Sequence, residues 1–292
     1  MRILANVADR IQDKFRFLAL NIAAGAPLAM ELAGMDNVTQ ITTDRRPAGM
    51  DETEWALRQK LAACYRIFDH LGWTMVIFNH ITCRVPGDEH HFLINPFGLR
   101  YDEVTASNLV KVDLDGNVVG DSQDVNYAGF IIHGAIHAHV PEALWIMHTH
   151  TPEGIAVSCK QSGLTNTNFY SGMLYDRVAY HDFEGLTHRP DEQDRLVASI
   201  GASPVVILRN HGLLTHGRSA EEAFNRLWIL QLACETQLLS QSMSGPDIEV
   251  HKQATLNSTR DGGLFAAQDT RGNGLFAALE RIVAGKDPTY LQ

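Results

Sequence analysis

The chain has 292 residues, with 24 lysines and arginines against 34 aspartates and glutamates and a formal net charge of −10. Hydrophobic residues at 45% and charged residues at 20% describe a globular chain with enough apolar side chains for a sizeable core. An acidic balance with no basic stripe excludes nucleic acid and an anionic membrane surface as partners, because their phosphates would go unneutralised.

The first fifty residues carry no clear period. Their most apolar stretch, FLALNIAAGAPLAM, is broken by Asn21 and Pro27 and is too short to span a bilayer. Residues 1–51 are expected to form an N-terminal extension. From Glu52, apolar residues at helical spacing (Leu57, Leu61, Tyr65, Phe68, Leu71) predict a helix stopped by Gly72. TMVIFNHITCRV, HHFLINPFG and LVKVDLDGNVVG follow as strand-like segments, with DEHH at 88–91 as an exposed turn. In the third segment, Asp-Gly predicts a two-residue hairpin turn, since it accepts the positive φ such turns require.

GFIIHGAIHAHVPEA predicts a helix ending before Pro141, ALWIMHTH a buried strand, and PEGIAVSCK a helix opening near Pro152. RLVASIG reads as a helix with a glycine stop and PVVILRNHG as a buried strand. SAEEAFNRLWILQLACETQLLSQSM predicts a long amphipathic helix, with Ser219 as its cap and Glu222 completing a capping box. Residues 52–243 make the expected main domain and 244–292 a weakly patterned tail or arm. Cys64, Cys83, Cys159 and Cys234 show no CxxC spacing, so neither a disulfide scaffold nor a cysteine zinc site is expected. The chain reads as cytoplasmic with free thiols, Cys159 and Cys234 lying in helical core positions.

The histidines carry the chemistry. In HTH, strand alternation sets His148 and His150 on one face, and His211 ends the apolar run of ILRNHG. Three imidazoles at strand ends leave open coordination positions, the layout of a catalytic rather than a closed structural metal site. Unrelated strand-end histidines would give the same pattern, and spacing alone leaves both readings open.

PEALWIMHTHTPEGIAVS, ILRNHGLLTHGRSAEEAF and FLINPFG…DEVTASNLVKVDLDGNVV resemble the class II aldolase/adducin family, over roughly residues 53–243. The resemblance implies a three-layer α/β fold with a central, mostly antiparallel sheet flanked by helices. It implies a homotetramer with sites near subunit interfaces and a small-molecule substrate. It also implies a divalent cation on His148, His150 and His211, zinc being the expected ion and manganese or iron the alternatives.

The same resemblance exposes a departure. The family's sugar-phosphate aldolases carry a motif like Ser-Ser-Glu ending nineteen residues before the first metal histidine, its acid moving protons; here that position is Gly129, preceded by Tyr127 and Ala128. Residues 128–133, AGFIIH, are similar to the adducin-like branch. Phe78–Ile81 and Asn95–Gly98 replace two phosphate-binding turns, with Asn79, Pro96 and Gly98 retained. A pocket that has lost hydroxyls is poorly suited to a phosphate dianion, whose desolvation must be repaid by many donors.

The resemblance therefore implies a metal-dependent lyase, working by aldol-type cleavage or decarboxylation on a small non-phosphorylated carbonyl or carboxylate compound. A non-haem iron oxygenase and a noncatalytic adducin-like interaction module are the alternatives. His133, Tyr180 and His80 are the catalytic candidates, and Asn79, Asn95, Gly98 and Gly129 the substrate-binding ones. His181, Asp182 and Glu184 are further proton-donor candidates. Arg209 is expected to point away from the site, and His137 and His139 to be surface or packing residues.

Overall fold

The computed structural model describes residues 46–292, apart from 88–89, 121–124, 126, 186–190, 249 and 269–273, with the backbone alone at 127–128 and 263–268. Most of the expected N-terminal extension, residues 1–45, lies outside the described residues.

Helix α1, Glu52–Leu71, opens where the Asp51 carboxylate accepts the Glu54 N–H at 3.1 Å, with Glu52 and Glu54 favourably placed at the positive end of the helix dipole. It closes on Gly72, whose φ of 74° is the left-handed geometry that glycine adopts without strain. Leu61, Tyr65 and Phe68 are buried on its inner face.

Tyr65 does more than fill space. Its hydroxyl donates to the Ile81 carbonyl at 2.5 Å and receives the N–H groups of Ile81 and Asn95 at 2.9 and 3.2 Å. Tyr65→Phe keeps the ring but leaves those buried backbone groups unpaired. It is expected to lower stability by about 3 kcal/mol in urea unfolding; a loss below about 1 kcal/mol would show that the hydroxyl is dispensable.

Among the described residues, seven strands form one sheet: β1 Ile81–Arg84, β2 Phe92–Ile94, β3 Val110–Val112, β4 Trp145–Thr149, β5 Val178–His181, β6 Val205–Leu208 and β7 Gly212–Gly217. Their order is β3-β2-β1-β4-β7-β6-β5. Every pairing is antiparallel except β5 with β6. The central strands β4 and β7 are buried along their whole length, covered on both sheet faces.

Helices α2 Tyr127–His139, α3 Pro152–Ser158, α4 Phe169–Met173, α5 Glu192–Ile200, α6 Ala220–Ser242, α7 Lys252–Gln268 and α8 Leu275–Lys286 complete the described elements, with short 3-10 turns at Tyr101–Glu103 and Pro288–Leu291. One core unites α1, α6 and α8 with Met147, Ile207 and Leu213. A second joins Ile132 and Ile136 of α2 and Leu196 and Ile200 of α5 to Ile146, Val206, Leu208 and Leu214. Helices therefore cover both faces of the sheet, giving three layers. No described helix is long and apolar enough to cross a membrane.

Several local expectations change. The Asp-Gly segment does not form a two-residue turn: Asp113 N–H bonds Asn117 O at 3.0 Å across a three-residue loop. Gly116 takes φ 86° there, and the Asp113 carboxylate accepts the N–H groups of Asp115 and Asn117. The Ser219 side chain caps α6, but the Glu222 carboxylate reaches back to Arg218 N–H rather than to the cap residue. Cys159 follows the end of α3 and is exposed, while Cys64, Cys83 and Cys234 are buried. Beyond residue 274 the chain packs as body, not arm: Phe276, Leu279, Val283 and Tyr290 belong to the main core.

Candidate metal centre

His148 lies on β4 beside Ile146, on the sheet face covered by α2 and α5, and His150 follows one residue past the strand end. His211 sits in the tight link between β6 and β7, where Asn210 adopts φ 57° and His211 N–H bonds Leu208 O at 3.1 Å. One ring nitrogen from each of the three lies within 4.8 Å of the others, and the ring centroids are 4.5, 4.8 and 4.7 Å apart.

Gly212 makes this convergence possible. A Cβ there would collide with the Thr149 carbonyl oxygen and stand 3.1 Å from His150 Cδ2 and 3.3 Å from His148 Cε1. The glycine of NHG is thus set by close strand approach rather than by turn geometry.

The donor set fits a cation. His148 Nδ1 must donate to the Leu213 carbonyl, 2.7 Å away, which leaves Nε2 bare in the neutral ring. That Nε2 lies 2.7 Å from His150 Nε2. Two nitrogens on one tetrahedral zinc sit about 3.3 Å apart, so a small spreading of the rings admits the ion. Burial pushes His150 and His211 down to about 4, helped by His211 and His181 respectively, and burial pushes His148 well below the usual imidazole range. All three rings are neutral near pH 7, the form that ligates metal.

Behind the triad lies a second imidazole pair. His80 and His133 are 3% and 0% exposed with ring centroids 4.2 Å apart, and His80 is 5.4 Å from His148. Neither His80 nitrogen, nor His133 Nε2, nor the Oδ1 of buried Asn79 has a hydrogen-bond partner among the described residues. Gly129 explains why His80 fits: a Cβ at 129 would lie 2.8 Å from the His80 ring. The side-chain space at residue 129 is filled by this imidazole.

Other candidates are employed elsewhere. Tyr180 faces the side of β5 opposite His181, its hydroxyl accepting Leu164 N–H at 3.0 Å and its ring lying under Arg209, 4.5 Å from centroid to guanidinium carbon. His181, Asp182 and Glu184 of that segment line a small cleft with Ile132, Glu192, Arg209 and His211, so Arg209 borders the cleft that His211 enters. Asn95 is 1% exposed with its Oδ1 2.9 Å from the Tyr65 hydroxyl, so it holds structure instead of substrate. Gly98 occupies an exposed turn with φ 91°. Arg209 also ties to the Lys160 carbonyl and Asp182.

His137 was expected at the surface or in packing. It is 2% exposed and polar-bonded, through Nε2 to Thr82 at 2.8 Å and through Nδ1 to the Ala143 carbonyl at 2.9 Å. Thr82 and His137 carried no functional expectation. Gly129, His133 and His137 recur every fourth residue along α2, the spacing that marks one helix face.

The sequence matches the Class II Aldolase and Adducin N-terminal domain over residues 59–238. Among solved structures, an aldolase II superfamily protein from Pseudomonas syringae is 41% identical, with a TM-score of 0.77 over 83% of this chain and 98% of that one. An L-fuculose 1-phosphate aldolase from Glaciozyma antarctica is 29% identical, with a TM-score of 0.69 over 83% of this chain and 96% of that one. Alpha-adducin of Mus musculus is 44% identical over 235 residues, 78% of this chain and 30% of the adducin.

Proposed function

The chain belongs to the class II aldolase and adducin family, and from that premise we propose a divalent-metal-dependent lyase acting on a small non-phosphorylated carbonyl or carboxylate compound. The observation that carries this reading is the convergence of three neutral imidazoles, one of them with its tautomer set by the Leu213 carbonyl. His148, His150 and His211 would hold the ion, with zinc proposed and manganese or iron as alternatives. When bound, a divalent cation supplies Lewis-acid polarisation of a substrate carbonyl or carboxylate, favouring aldol-type cleavage or decarboxylation.

The remaining work falls to this chain's own side chains. With no acid at 129, proton handling passes to His80, both of whose ring nitrogens are buried and unpaired, and to His133 through its unpaired Nε2. Asn79 Oδ1, also unpaired, is the substrate-orienting group. A homotetramer in the cytoplasm is part of the proposal. Met75, Val76, Phe78 and Phe97 are large apolar side chains left exposed on turns flanking Asn79 and Asn95, as a subunit contact would require.

A second reading, a noncatalytic interaction module, is favoured by the 44% identity to alpha-adducin. The likeness to L-fuculose 1-phosphate aldolase adds a sugar phosphate to the substrates worth testing.

The test is metal analysis of protein purified without chelators, a light-scattering mass, and a panel of keto-acid decarboxylation, aldol cleavage, L-fuculose 1-phosphate cleavage and oxygen uptake. About one metal ion per chain is expected, lost in His148→Ala with His150→Ala, together with turnover of an unphosphorylated compound. Iron with oxygen consumption would move the assignment to an oxygenase. A metal-free protein whose double variant is as stable as the parent would leave the interaction module.

A further inference from the structure

Thr82 lies on β1, facing α2, with its Oγ1 2.8 Å from His133 Nδ1 and 2.8 Å from His137 Nε2. At the far end, His137 Nδ1 is 2.9 Å from the Ala143 carbonyl. A carbonyl oxygen only accepts, so His137 Nδ1 carries a hydrogen. Burial, followed by the neighbouring Arg84 guanidinium, pushes His137 down to about 3, so the ring is neutral and its Nε2 is bare.

That bare nitrogen must be satisfied by the Thr82 hydroxyl hydrogen. A threonine has one such hydrogen, so toward His133 the same oxygen can only accept. His133 Nδ1 is therefore protonated, and burial keeps this ring neutral too, leaving Nε2 without a hydrogen. His133 Nε2 is buried without a partner, and the ring beside it is His80, which has both nitrogens unpaired and, when neutral, one N–H to give.

We propose that Thr82 and His137 are positioning residues which, anchored on the Ala143 carbonyl, hold His133 in its Nδ1–H tautomer and so leave its buried Nε2 bare beside the His80 ring. A chain of single-hydrogen choices thus runs from the Ala143 main-chain carbonyl to His133 and sets which nitrogen of that ring faces His80 bare. The role in proton handling rests on the lyase reading above; the tautomer assignment does not.

The test is ring-nitrogen NMR of the full chain labelled with 15N-histidine at pH 7.5, comparing wild type, Thr82→Val and Thr82→Ser. In wild type, His133 and His137 are expected to show a single tautomer each, protonated at Nδ1 and bare at Nε2. Thr82→Val is expected to lose the single His133 tautomer and Thr82→Ser to keep it, which a merely space-filling threonine would not produce. A wild-type His133 protonated at Nε2, or a Thr82→Val spectrum identical to the parent, overturns the proposal. The wild-type spectrum decides by itself if Thr82→Val does not fold. Zinc titration of the same sample reports separately on His148, His150 and His211: silence there counts against the metal site, whereas an Nε2-protonated His133 counts against the relay.

Discussion

Gly212→Ala is expected to be among the most damaging single-methyl changes in this protein, lowering both stability and zinc affinity. The added Cβ would meet the Thr149 carbonyl oxygen, a main-chain atom that cannot swing aside, and press on the rings of His150 and His148. Thr149 pairs with Leu213 at the end of the β4–β7 ladder, so relief requires the two strands to part where the three histidines converge. A backbone overpacking of this kind costs about 3 kcal/mol, which for a chain of this size corresponds to a fall of roughly 5 °C in Tm.

Zinc binding, read by competition with a chromophoric chelator, should weaken at least tenfold, since His148 and His150 move relative to His211. Gly285→Ala is the matched control. That glycine lies in α8 with nothing within 4 Å of its added Cβ, and alanine should be neutral or stabilise the helix by up to about 1 kcal/mol. A Gly212→Ala protein with unchanged Tm and zinc affinity would refute the argument from strand approach.

The second large effect is acid sensitivity of the chelator-treated protein. His80, His133, His137 and His148 are between 0% and 3% exposed, and burial holds all of them below their usual range, His80 and His137 at about 3. In the unfolded chain each returns to about 6.5. Below that pH the unfolded state takes up protons that the folded state refuses, so stability present above pH 6.5 is lost as the pH falls toward 3.

Each such group contributes up to about 1.4 kcal/mol per pH unit, and four together up to about 5.5 kcal/mol per unit. Against a total stability of about 5–15 kcal/mol, this places cooperative acid unfolding between about pH 6 and 4. Carboxylates act lower. Glu54, for example, overcomes its burial penalty through Lys111 and Arg58, and its protonation matters only below about 4.5. Urea midpoints measured from pH 7.5 to 5 should fall steeply; a flat profile across that range would refute the buried neutral assignment.

Much of the fold was legible because it rests on local rules. The Asp51 and Ser219 caps, the Gly72 and Gly201 stops and the buried runs of β4 and β6 come from chemistry within a few residues of each position. β5 was missed because VAYH is short and half-buried, and its strand identity comes from pairing with β6. The C-terminal segment looked like an arm because its apolar residues are sparse. They become core only by packing α8 against α1.

The site divides along the same line. The order of HTH, NHG and their following helices singled out His148, His150 and His211, the three histidines that the fold brings within 4.8 Å of one another. Counting to Gly129 also established the missing acid, but said nothing of the imidazole lodged in its place. That His80 fills this space, that His133 and His137 share one threonine, and that Tyr180 faces away while His181 faces in, were settled by tertiary packing. Periodicity tells which face of its own helix or strand a residue occupies. Which partner lies opposite that face depends on how distant elements dock, and in this protein hydrogens and lone pairs are assigned across those docked surfaces.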